Sequence, residues 1–216
     1  MLISCRHIFL TLVASLFCGV CIPAGPESVF SDEPVGSLSS QRPNATIGHQ
    51  VDLGLSVSWS DINFGAQSES DFGSYFGYSD LTGNQTSTSY DNYLSEDIAG
   101  TDYDPAFVFW GGGWRMPRES EIHELLELCD WHWTTRNGVD GYLVVGREGR
   151  SSIFLPAAGH RSGDRMFFEG TRGYYWSGEV NQFNPNYVSV LFFYKGDRRL
   201  MDCRKIYGYV LRPVHD

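Results

Sequence analysis

Only one stretch of this chain repeats its apolar residues at helical spacing. Between Glu119 and Cys129, the residues Ile122, Leu125, Leu126 and Cys129 fall at i, i+3, i+4 and i+7, while Glu119, Glu121, Glu124 and Glu127 lie mostly off that face. Elsewhere the apolar pattern is that of strands. Val51-Asp-Leu-Gly-Leu-Ser-Val-Ser-Trp59 alternates apolar and polar residues, the mark of a half-buried strand. Runs rich in β-branched and aromatic residues predict further strands over 141–145, 152–155, 173–177, 187–194 and 207–212, with turn signals at Asn137-Gly138 and Lys195-Gly196-Asp197. The region from Gly65 to Pro105 is rich in Gly, Ser, Tyr, Asn and Asp and has no period, which predicts a wrapped surface loop with short ordered pieces. One main helix among hairpin-like strands is an α+β domain.

The start of the chain reads as a targeting segment. Arg6 and His7 precede an apolar run from Ile8 to Val20, short for a bilayer span and suited to a signal peptide over 1–24. Cys18 and Cys21 offer a lipid-anchored alternative, although neither is preceded by a pair of small residues. No later run approaches membrane-spanning length. Residues 25–46 hold little to bury and read as a flexible linker, leaving 47–216 as one domain with room for a core. Beyond the signal segment stand Cys129 and Cys203. In an oxidising compartment they can form one disulfide, or they can remain two separate buried thiols.

Charge is distributed unevenly along the chain. Between Arg42 and Arg115 there is no Lys or Arg, against ten carboxylates; from Arg115 onward fourteen cations, twelve of them Arg, face thirteen acids. The overall charge of −10 argues against a nucleic-acid partner, which requires a basic surface. The acidic stretch lacks the Asp spacing and turn glycine of a calcium loop, so it reads as solvated loop.

Six stretches then occur in an order that resembles a known family: Val51 to Trp59, Asp97-Ile-Ala-Gly-Thr-Asp-Tyr-Asp104, Trp110-Gly-Gly-Gly-Trp-Arg-Met-Pro117, Ile153-Phe-Leu-Pro-Ala-Ala-Gly159, Gly173-Tyr-Tyr-Trp-Ser177 and Tyr207-Gly-Tyr-Val-Leu-Arg-Pro-Val214. Over residues 48–214 the chain is similar to the Fibrobacter succinogenes major paralogous domain family, abundant among exported proteins of gut Bacteroidetes. The resemblance implies a C-type lectin-like fold, related to the branch that holds formylglycine-generating enzymes, and export to the periplasm, cell surface or medium. Where the family carries Thr after Met-Pro, this chain has Arg118, so the helix loses a hydroxyl cap worth roughly 0.5–2 kcal/mol. The glycines at 111–113 suggest a tight turn where backbones approach closely, Trp110 and Trp114 suggest packing anchors, and Arg115 is expected to pair with an acid or to bond loop carbonyls.

No catalytic pattern in the chain is complete. His123-Glu124 evokes a zinc protease, but the second histidine of that motif is replaced by Glu127, and His132 and His160 are loose third ligands. Cys129 and Cys203 do not reproduce the cysteine spacing of the copper enzymes in the related branch, and the histidine array of its iron enzymes is absent. Gly111–Gly113 lacks the Lys of a phosphate loop, and Ser177-Gly178 lacks the nucleophile elbow. Asn184-Pro185-Asn186 resembles the calcium element of sugar-binding lectins without its acid, and reads better as a polar turn. The expectation is therefore a protein that is not an enzyme and carries no cofactor or metal.

What remains is a binding surface. Residues 174–205 concentrate Tyr, Trp, Asn and Arg, the residue types that provide rigid contact area and adaptable hydrogen bonds. The candidate ligand-binding set is Tyr174, Trp176, Asn181, Asn184, Asn186, Arg198 and Arg199. The expected function is adhesion or recognition of a glycan or protein at the cell surface. The competing classes are an enzyme of the formylglycine-generating or metal-dependent type, a structural component of a fimbria-like assembly, and a receptor diversified by a retroelement, as occurs in this fold class.

Overall fold

Every ladder among the described residues is antiparallel, and most join strands consecutive in the chain, as hairpin connections require. The computed structural model describes residues 46–149 and 151–216; the expected signal peptide, with the Cys18 and Cys21 of the lipid-anchor alternative, and all of the expected linker except its last residue lie outside them. Along the chain run β1 (Gln50–Val51), β2 (Ser58–Ser60), α1 (Pro105–Phe109), β3 (Trp114–Arg115), α2 (Glu119–Leu128), β4 (Asp130–Arg136), β5 (Val139–Val145), β6 (Ser152–Pro156), β7 (His160–Ser162), β8 (Arg165–Phe167), β9 (Arg172–Val180), β10 (Tyr187–Tyr194), β11 (Asp197–Arg204) and β12 (Val214–His215). They form sheets in the orders β1-β2-β12-β3, β4-β5-β6, β11-β10-β9 and β7-β8. Mostly antiparallel strands with little helix make the domain α+β.

The β9–β11 sheet divides the core. Six consecutive residues of β10, Val188 to Phe193, are buried, so both faces of the strand are covered. Tyr174, Trp176, Val190 and Phe192 face one apolar cluster, and Tyr175, Leu191 and Phe193 face the other, which α2 joins through Ile122 and Leu125. Strand alternation accounts for the division.

Several boundaries differ from the sequence reading. The expected strand over 51–59 is broken after β1, because the Gly54 N–H donates to Asp52 Oδ1 at 2.8 Å and Gly54 takes φ +74°, a turn that ends the ladder. The expected strand over 207–212 is no single ladder. Its backbone bonds Arg161 through Gly208, Phe76 through Tyr209, Trp176 through Val210 and Phe64 through Leu211, threading four segments together. At 111–113 the three glycines take φ of +61°, +59° and +96°, and open space surrounds Gly111 and Gly112. Left-handed backbone, more than close approach, is what demands glycine there.

The helix start is capped from elsewhere. The Arg118 N–H donates to Glu121 Oε2 at 2.8 Å, and the Glu119 N–H donates to Glu179 Oε2 at 2.6 Å, so β9 supplies the acceptor that Arg118 lacks. Glu121 also receives Arg115 through both terminal guanidinium nitrogens, at 2.9 and 2.6 Å, in a buried bidentate pair. Asp104 caps α1 by accepting from Ala106 and Phe107, and its second oxygen accepts from Gly100 and Met116.

The cation-free stretch is held by cations from the second half of the chain. Lys205 Nζ donates to the carbonyls of Tyr93 and Leu94 and to Ser95 Oγ; Arg161 donates to the carbonyls of Gly83 and Gln85. Arg212, fully buried, donates to Asn63 Oδ1 and to the carbonyls of Ser60 and Phe154 at 2.7–3.0 Å, with no carboxylate among these partners. Carbonyls of the irregular chain, and those of Ser60 in β2 and Phe154 in β6, thus find side-chain donors.

Two outcomes follow. Lys205→Met leaves buried acceptors unpaired at about 1–3 kcal/mol per group; hydrogen exchange should accelerate across 79–95 while β9–β10 stays protected, and uniform loss across both would contradict the clamp. Arg115 also donates to Asp216, so Glu121→Ala should cost about 1–3 kcal/mol in urea denaturation by leaving the Arg118 N–H unpaired and Arg115 with one carboxylate instead of two, and Arg115→Met with Glu121→Leu should recover part of that loss. Equal losses in the single and double variants would contradict it.

Candidate functional site

The two-sided sheet disperses the residues singled out from the sequence. Trp176 is 1% exposed, donates Nε1–H to the Phe76 carbonyl at 2.8 Å and meets the Tyr209 ring at 4.4 Å; it is core, as is most of Tyr174 at 7% exposure. The expectation that both are ligand contacts is corrected for Trp176, and for Tyr174 is reduced to one buried edge lining a hollow. Arg198 lies over Trp131 and Arg199 over Phe192, on opposite faces, because neighbours on a strand point apart. Cys129 and Cys203 are free, buried in different clusters, so the disulfide alternative is replaced by two separate thiols.

The asparagines shape the β9–β10 connection. Asn181 Oδ1 accepts the N–H groups of Phe183 and Asn184, Asn181 Nδ2 donates to Asp202, and Asn184 Oδ1 accepts the Asn186 N–H. Asn181 also lines a cavity of about 590 Å³ with Asp97, Glu119, His123, Glu179, Ser189 and Asp202. Its acids are engaged in the frame: Asp97 accepts the Val180 N–H, Glu179 that of Glu119, Glu119 the Ser189 hydroxyl and Asp202 the Asn181 amide. His123 lies 3.8 Å from Glu119, one turn back on α2. Among the described residues no three His, Cys, Asp or Glu side chains gather as a metal-ligand set.

A different cleft opens on the Tyr174 side of the sheet, beneath the β7–β8 hairpin. His160 stands at its centre, with the rings of Phe167, Phe168, Tyr174, Tyr207 and Tyr209 at 5.0–5.9 Å. Its Nδ1 is buried without a hydrogen-bond partner. Burial, followed by the positive Arg172, holds the imidazole below its ordinary pKa. Two hollows flank this partition. The smaller, about 300 Å³, is lined by His160, Tyr174, Tyr187, Tyr207, Met201 and Arg204; the larger, about 520 Å³, by Phe168, Arg172, Phe192, Tyr194, Lys195 and Arg199. The Tyr174 and Phe192 rings, 4.9 Å apart, connect the walls. Cys203 borders the smaller hollow, and burial pushes its thiol up to about 11, which keeps it protonated and unreactive.

Sequence reasoning placed Tyr174 and Arg199 of this cleft in a binding surface, weighed His160 only as a loose metal ligand, and gave Arg172, Phe168 and Lys195 no binding role. A lone histidine carries no pattern, and only the Lys195-Gly196-Asp197-Arg198-Arg199 turn hinted at clustered charge. No family model, curated protein or solved structure matches the chain.

The pH response of the cleft has a definite sign. A histidine whose folded pKa lies below the unfolded value of about 6.5 contributes stability that is complete above that pH and is lost as pH falls through it. Thermal midpoints should therefore fall from pH 7 to pH 5 more steeply in the native protein than in His160→Phe. Parallel profiles would show that His160 does not titrate this way.

Proposed function

We propose that this chain is an exported, non-catalytic recognition module that binds a glycan or a protein ligand at the cell surface. In this reading it belongs with the Fibrobacter succinogenes major paralogous domains and shares their C-type lectin-like arrangement. The ordered motifs support the family, and the antiparallel strands around one main helix are compatible with the fold. The single observation that carries the function is the cleft beside His160, where partly exposed tyrosines and arginines border two hollows on a rigid sheet. Aromatic faces stack on the C–H face of a sugar or on apolar side chains, and arginines donate several hydrogen bonds at once. The volumes suit small ligands or short chain ends, which occupy sites of about 300–1,000 Å³. The surface of recognition accordingly moves from Trp176 and the asparagines to Tyr187, Tyr207, Arg199 and their neighbours.

The test is a glycan array and a surface-protein pull-down with purified protein, with and without calcium. For a ligand so identified, Tyr187→Ala with Tyr207→Ala should weaken binding on the order of tenfold or more, while Asn184→Ala changes little. The reverse pattern would place the site on the β9–β10 turn. Stoichiometric copper, iron or zinc in the purified protein would overturn the non-enzymatic reading.

A further inference from the structure

The larger hollow differs in charge from the rest of this acidic molecule. The chain carries a net charge of −10, yet Arg172, Lys195 and Arg199 line one wall system and no carboxylate lines it with them. Strand pairing builds the cluster. Arg172 of β9 stands opposite Tyr194 of β10, and Arg199 of β11 stands opposite Phe192, so both arginines project on the same side as those rings. Lys195 follows Tyr194 in the turn between β10 and β11.

The guanidinium groups are held in place. Arg172 lies 3.8 Å from the Phe168 ring centre and Arg199 4.9 Å from that of Phe192. A guanidinium stacked by its face keeps the N–H donors on its edge available, in a fork that matches a carboxylate or sulfate. Arg199 has a local acid, Asp197. Among the described residues Arg172 and Lys195 form no salt bridge. Phe168 and Tyr194, 44% and 42% exposed, present the ring surface that a pyranose would cover.

We propose that this hollow is a subsite for an anionic sugar, bearing a carboxylate or a sulfate ester, with Arg172, Lys195 and Arg199 holding the charge and Phe168 and Tyr194 the ring. The inference rests on the recognition reading above and names the ligand class for the same cleft. Long polyanions such as nucleic acid are disfavoured by the acidity of the whole surface, whereas a short saccharide with a few charges meets mainly the local cluster.

The experiment is calorimetric titration of the purified protein with three probes of equal length: an oligogalacturonate, a heparin-derived oligosaccharide and a neutral galacto-oligosaccharide. At low salt one of the two acidic probes should bind about tenfold or more tightly than the neutral one, and the advantage should shrink at about 0.5 M salt. Which acidic probe prevails distinguishes carboxylate from sulfate. Lys195→Ala, at an exposed position, should cut the preference severalfold and leave the thermal midpoint and neutral-probe binding unchanged, and adding Arg199→Gln should remove what preference remains. Equal affinity for acidic and neutral probes, or a preference that survives the substitutions, overturns the anionic subsite while the recognition function stands. Failure of every saccharide, together with capture of a protein ligand at Tyr187 and Tyr207, overturns the sugar assignment at its root.

Discussion

The middle of β10, Val188 to Phe193, faces water on neither side, and that constraint governs where anything else in this domain can happen. Six buried residues in a row commit one face of the β9–β11 sheet to Tyr174, Trp176 and Tyr209, and the other to Leu125, Tyr175 and Phe193. Polar groups are therefore expelled to the ends of the sheet, where the asparagine turn and the acidic cavity lie, and to the strip beyond Tyr174 that the β7–β8 hairpin only partly covers. The cleft inherits rigidity from the sheet: its aromatic walls are the outer margin of the core, so a ligand there would meet little loss of order on binding.

The second organising device is the use of long cations as clamps on irregular chain. A stretch of about forty residues from Gly65 to Pro105 without ladder partners would expose many carbonyls to a dry interior. Arg161 and Lys205 reach into it from the far half of the sequence, and Arg212 does the same for Ser60 and Asn63. Burial lowers the pKa of Arg212 to about 10, which still leaves it charged at neutral pH, and the oxygens that accept its hydrogen bonds from Asn63, Ser60 and Phe154 are neutral. The asymmetry of charge along the chain is thus partly a division of labour: one half contributes acceptors, the other donors.

The sequence displayed the parts of this fold that have a strong local period. α2 was legible because its four apolar positions repeat at helical spacing, and β10 because its run of Val, Leu and Phe is bounded by turn residues. β11 was not: Asp197-Arg-Arg-Leu-Met-Asp-Cys-Arg204 is polar because it forms a sheet edge, and edges resemble loops in composition. Which aromatics point inward was also illegible, because a strand buried on both faces loses the alternation that would separate Trp176 from Tyr187. Arg172 and Lys195 gained meaning only when pairing brought β9, β10 and the following turn to one hollow.

The cleft on the Tyr174 side is tested most directly by a hydrogen–deuterium exchange footprint of the purified protein, free and saturated with an oligosaccharide that binds it, oligogalacturonate first. Protection should appear over 160–172 and 194–207, which frame the two hollows. Protection confined to 181–186 and the first turn of α2 would contradict the cleft and transfer recognition to the acidic cavity.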